Sequence, residues 1–75
     1  NYAESAVPTL TETLKDQETW VRLTAATALG NIGVRALSSL PALVTSMEDK
    51  DISVRHSAAY ALGSIATNAQ ETVNK

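Results

Sequence analysis

Residues 8–33 and residues 41–66 carry one pattern twice, and this repetition limits what the chain can fold into more than any other feature. The first copy reads PTLTETLKDQETWVRLTAATALGNIG and the second PALVTSMEDKDISVRHSAAYALGSIA. Along the whole chain a shift of 33 pairs 42 positions, and 14 of the pairs are identical. Shuffling so alanine-rich a composition leaves about three, and the matches fall at helical spacing. The same register joins Ala3 with Ala36 and Ala69, and Val7 with Leu40 and Val73. It divides the chain into one unit over 3–35, a second over 36–68 and the start of a third at 69–75. The last boundary cuts a helix, so the chain reads as an excerpt from a longer array.

Each unit is expected to hold two helices. Ala3, Val7, Leu10 and Leu14 recur at steps of three and four, as do Ala36, Leu40, Leu43 and Met47, and each series marks one apolar helix face. Pro8 and Pro41 stand early in these helices, where a missing N–H costs little; helices that begin instead near Ser5 or Ser38 place each proline at a first-turn distortion. Charged connectors follow, Lys15-Asp16-Gln17-Glu18 and Glu48-Asp49-Lys50-Asp51. The second helices should bury Val21, Ala25, Ala28, Leu29 and Ile32, and Val54, Ala58, Ala61, Leu62 and Ile65. Asp49 and Asp51 precede a helix N-terminus, where a carboxylate accepts orphan N–H groups, and Glu18 is a poorer cap.

Gly30 and Gly63 each cost about 1 kcal/mol of helix propensity relative to alanine. With Ala26 and Ala59 one turn earlier they form a flat stripe on which a neighbouring helix can rest; the alternative is a helix-ending role for Gly30 and Gly33. A helix pair that is apolar on one side cannot close its own core, whereas stacked pairs cover one another, which is the logic of a solenoid. The expected fold is all-α: a solenoid of antiparallel helix pairs, about two repeats long.

Composition agrees. Twelve Ala, eight Leu, six Val and three Ile stand against one Trp, two Tyr and no Phe, a set suited to closely packed helices. At 75 residues a chain buries only about 60% of its unfolded surface. There is no Cys for a disulfide and a single His, too few for a zinc site on the usual plan. Arrays of this kind need about three units for stability, so two are expected to be weak unless extended by a parent chain, dimerised through their exposed ends, or capped by a partner. The formal charge is −2 with both signs interspersed, which offers no basic stripe for nucleic acid. No apolar run approaches the length of a membrane span and no targeting segment is visible, so no membrane association is expected and the default compartment is cytoplasmic.

The motif V-R-x-x-A-A-x-A-L-G-x-I, after a helix that ends in [LM]-x-D-x-[DE], resembles the HEAT repeat, most nearly the short HEAT-like variety named after phycobilisome lyases. Its residues here are Leu14, Asp16, Glu18, Val21, Arg22, Ala25, Ala26, Ala28, Leu29, Gly30 and Ile32, then Met47, Asp49, Asp51, Val54, Arg55, Ala58, Ala59, Ala61, Leu62, Gly63 and Ile65. The resemblance implies a right-handed α-α superhelix. It also implies a ladder of Asp and Arg between units, pairing Asp16 with Arg22 and Asp49 with Arg55. Trp20 departs from the small or charged residues usual at its position, and Thr19 and Ile52 replace a common proline.

Little here suits chemistry. The carboxylates sit at turns, open to solvent, with little burial to suit them to acid–base work. His56 is equivalent to Leu23 and reads as a partly exposed flank residue. There is no G-x-S-x-G elbow, and Gly30-x-x-Gly33 is not a dinucleotide fingerprint. No catalytic residue, metal or cofactor is expected. Binding is the better prospect: Trp20, Thr24, Thr27 and Asn31 share one face of the second helix, opposite the core, and Ser53, Ser57, Tyr60 and Ser64 are their equivalents. In proteins that the chain resembles such helices line a concave groove, and Trp and Tyr are enriched at binding hot spots. The competing reading has Trp20 covering the end of the first core and Tyr60 packing on the neighbouring unit. The leading functional expectation is a non-catalytic scaffold for a protein or peptide; the resemblance also implies a bilin lyase or chromophore-handling subunit, and a rigid spacer between domains is the third reading.

Overall fold

The computed structural model describes the backbone of residues 2–74 and the side chains of residues 4–67. Four α-helices follow in order: α1 (Tyr2–Thr13), α2 (Thr19–Ile32), α3 (Leu40–Ser46) and α4 (Ile52–Asn74), with a 3-10 segment, Gly33–Ser39, between α2 and α3. α1 packs on α2 and α3 on α4, and the two antiparallel pairs are joined mainly through α2 against α4. The fold is all-α and consists of stacked helix pairs. Its smallest extent is 16 Å, the depth of two helix layers whose axes lie about 8–10 Å apart.

The connectors fold as their carboxylates direct. Asp16 Oδ1 accepts the N–H of Glu18 at 2.9 Å, and Asp49 Oδ1 accepts that of Asp51 at 2.9 Å. Asp51 Oδ1 then takes the N–H of Ser53 at 2.8 Å, capping α4, while Glu18 caps α2 with no side-chain bond. The two prolines differ. Pro41 stands in the first turn of α3, as expected, but Pro8 lies inside α1. The difference arises upstream of Pro41: Gly33 ends α2 at φ 76°, ψ −140°, and the chain kinks again at Ala36 before α3 begins. The equivalent of Gly33 is Ala66, which pays a steric penalty at positive φ, and α4 runs straight through that position. The third-unit reading of residues 69–75, and the register matches at Ala3, Ala69 and Val73, depend on side chains outside the described residues.

Val7, Leu14, Ala25, Leu29, Leu43, Ala58, Ala61 and Ile65 fill the core. Three expectations are corrected. Val21, Ala28 and Ile32 are only half-buried, whereas Arg22, Ala26 and Gly30 are buried, because the second unit covers that flank of α2. The glycine stripe is a packing surface at Gly30, where a Cβ would lie 2.6 Å from the Tyr60 ring and 3.0 Å from the Ala61 Cα. At Gly63 a Cβ would meet nothing within 4 Å. Met47, expected in the core, is 41% exposed although its equivalent Leu14 is 6% exposed.

Candidate functional site

The charged ladder lies at the end of the stack where the two connectors meet. Arg22 projects from the first turn of α2 and spends each of its five N–H donors. Nη1 donates to the carbonyls of Asp16 at 2.9 Å and Gln17 at 3.0 Å, holding the connector of its own unit. The opposite edge of the fork faces the other unit: Nε donates to Asp49 Oδ2 at 2.7 Å and Nη2 to Asp49 Oδ1 at 3.1 Å. Nη2 also reaches Thr19 Oγ1 at 3.3 Å. The implied pairs Asp16–Arg22 and Asp49–Arg55 are therefore corrected: the ion pair joins Arg22 of the first unit to Asp49 of the second. Geometry is the reason. With Nη1 committed to the near carbonyls, Nε and one Nη2 hydrogen face the other unit, while the second Nη2 hydrogen stays on Thr19. Arg55 repeats the near half alone, giving Nη1 to the Asp49 carbonyl at 2.7 Å.

Burial removes competing water from this bidentate pair, whose side chains are 8% and 12% exposed, and charge assistance strengthens each bond. The Arg22 hydrogen bond holds the Asp49 carboxyl below its ordinary pKa, against a smaller opposing effect of burial. The same bond raises the Arg22 pKa. All five Arg22 donors are occupied, so this guanidinium has none left for a ligand.

The second candidate is the face shared by α2 and α4, where the structure separates the eight expected residues into two groups. Five stitch the helices together. Tyr60 Oη donates to Asn31 Oδ1 at 2.6 Å, Ser64 Oγ to the Gly30 carbonyl at 2.8 Å, and Thr27 Oγ1 lies 3.4 Å from Ser57 Oγ. Tyr60 packs on the neighbouring unit, as the competing reading had it, while remaining half exposed. Trp20, Thr24 and Ser53 stay outside this seam and are exposed. Thr24 returns its hydroxyl to the Trp20 carbonyl at 2.9 Å. Trp20 is 72% exposed and so does not cover the first core.

Around Trp20 the surface forms a shallow depression of about 390 Å³, lined also by Leu23, Thr24, Thr27, Ala28 and Asn31. Leu23 and Ala28 were missed from sequence. Leu23 stands three residues after Trp20, on the same side of the helix and off the core face, and that spacing was the available signal. Indole, leucine and hydroxyl groups offer stacking, apolar contact and neutral hydrogen bonds, with no acid–base pair among them.

Among the described residues no group of three or more His, Cys, Asp or Glu could hold a metal ion, and no helix is long and apolar enough to cross a membrane. A family model described as HEAT repeats matches residues 7–74. It matches the family as a whole and does not support the narrower resemblance to the lyase type. No curated protein and no solved structure gives a match.

Proposed function

Because the chain belongs to the HEAT-repeat family, whose helical stacks serve in general as protein-interaction surfaces, we propose that it is a non-catalytic scaffold segment holding a protein or peptide against α2 and α4. The observation that carries this reading is Trp20, a large aromatic 72% exposed at a depression rather than packed into the core. A ring held at its base by a helix loses little entropy on binding and presents both an apolar face and an N–H donor. Thr24, and the half-exposed Tyr60 with its partner Asn31, supply neutral polar contacts beside it. The five stitched residues keep the two helices fixed under the partner, which lowers the cost of ordering the surface. No observation among the described residues favours the bilin or the spacer reading.

Crosslinking of the chain to proteins of its own cell extract, with Trp20→Ala as the comparison, tests the proposal. Trp20→Ala should leave stability within about 0.5 kcal/mol of the parent, as exposed substitutions do, and should lose the specific adducts. An identical set of adducts from both proteins refutes Trp20 as the anchor.

A further inference from the structure

Equivalent residues of the two units show what a neighbouring unit covers. On the first unit Leu14 is 6% and Arg22 7% exposed, and Gly30 is closed over by Tyr60 and Ala61. Their equivalents are open: Met47 is 41% exposed, Arg55 is half-buried, and Gly63 has no neighbour within 4 Å of a Cβ. The opposite side shows the converse. Ala61 and Val54 are fully buried in the second unit, whereas Ala28 and Val21 are half-buried in the first, and Asp16 is exposed where Asp49 is half-buried.

One molecule therefore carries both halves of its own internal junction, one half at each end. The charged groups are already set. Asp16 holds the Glu18 N–H at 2.9 Å as Asp49 holds that of Asp51 at 2.9 Å, so its carboxylate has the turn geometry in which Asp49 receives Arg22. Arg55 gives Nη1 to the Asp49 carbonyl at 2.7 Å as Arg22 gives Nη1 to that of Asp16 at 2.9 Å. In Arg22 this leaves the Nε–Nη2 edge directed at the next unit.

We propose that a second copy of the chain docks head to tail on this flank, Arg55 of one copy taking Asp16 of the next while Ala28 approaches Gly63 as Ala61 approaches Gly30. The contact reproduces between molecules the junction within each; it leaves Trp20 itself outside but takes in Ala28 at the edge of the Trp20 depression. It joins two different patches, so it propagates unless its rotation closes a ring.

Sedimentation velocity of the intact chain over a concentration series tests this. The average mass should rise above 7.9 kDa with concentration. Arg55→Glu and Asp16→Arg, each alone, set like charges against each other and should weaken association about tenfold or more. An equimolar mixture of the two should recover it, because reversed charges meet at one junction and unchanged charges at the next. Gly63→Leu, at a position open in the single molecule, should abolish association and keep the helical spectrum, so the test stands even if Asp16→Arg unfolds. A wild-type mass of 7.9 kDa at every concentration overturns the proposal and leaves the flank to a different unit or partner. Association that survives Gly63→Leu, or folded charge variants that fail to recover on mixing, also overturns it.

Discussion

Gly30 and Gly63 occupy the same position of the repeat, so one substitution made at each separates packing from propensity. Replacing glycine by alanine inside a helix gains about 1 kcal/mol. At Gly63, inside α4, nothing lies within 4 Å of the added methyl, and the whole gain should appear, raising Tm by about 4–8 °C for a domain of this size. At Gly30 the methyl would lie 2.6 Å from Tyr60 Cε2, 2.9 Å from Cδ2 and 3.0 Å from the Ala61 Cα. The ring can yield only by straining its 2.6 Å bond to Asn31, and the Cα moves only with the α4 backbone. Overpacking of this kind costs about 1–3 kcal/mol, which cancels or reverses the gain. The two variants should therefore differ by about 1–3 kcal/mol, with Gly63→Ala the more stable. Thermal unfolding followed by far-UV ellipticity on dilute protein reads this directly. Equal shifts at the two positions would refute the close approach of α4 to α2.

Leu29 is fully buried, and Leu29→Ala should cost about 2–5 kcal/mol, enough to show as lost ellipticity at 25 °C in a domain with this little core. Gly33→Ala forces a Cβ into φ 76°, ψ −140°, a region open essentially to glycine, and should lower stability by about 1–3 kcal/mol in urea titration. Asp49 has a pKa lowered in the folded state by its bond to Arg22, so it binds protons less readily folded than unfolded. Its contribution is complete above the ordinary value of 3.8 and is lost as pH falls through the lowered folded value. Asp49→Asn should reduce the neutral-pH unfolding midpoint and flatten that acid limb; an unchanged acid limb contradicts the pair.

The period, the helix pairs and the turn carboxylates were all legible from spacing, because local backbone chemistry decides them. Which residues face a neighbour was not. Periodicity marks the side of α2 that meets α1, but Gly30 is covered by α4 and Arg22 is enclosed by the two connectors, on a flank that only the second unit covers. The resemblance alone implied ladder partners within a unit; with Nη1 on the carbonyls of Asp16 and Gln17, the orientation of the planar Arg22 fork brings Nε and Nη2 to Asp49 instead. Tyr60 and Trp20 were chosen together as aromatics on one face. The difference between them depends on a neighbour, since Tyr60 has Gly30 beneath it and Asn31 beside it, whereas Trp20 stands at the start of α2 beyond the seam.

Arg22 has a mechanical consequence. Its guanidinium is a rivet, a rigid plate bonded along one edge to the carbonyls of Asp16 and Gln17 and along the other to Asp49. Sliding or twisting one helix pair across the other breaks several of these bonds together, which makes the connector end of the stack stiff in shear. Flexure is then left to the far end, where Gly33 and the kink at Ala36 join the pairs. Trp20 rises next to the rivet, at the stiff end, so a partner would meet an anchor whose position is fixed before contact.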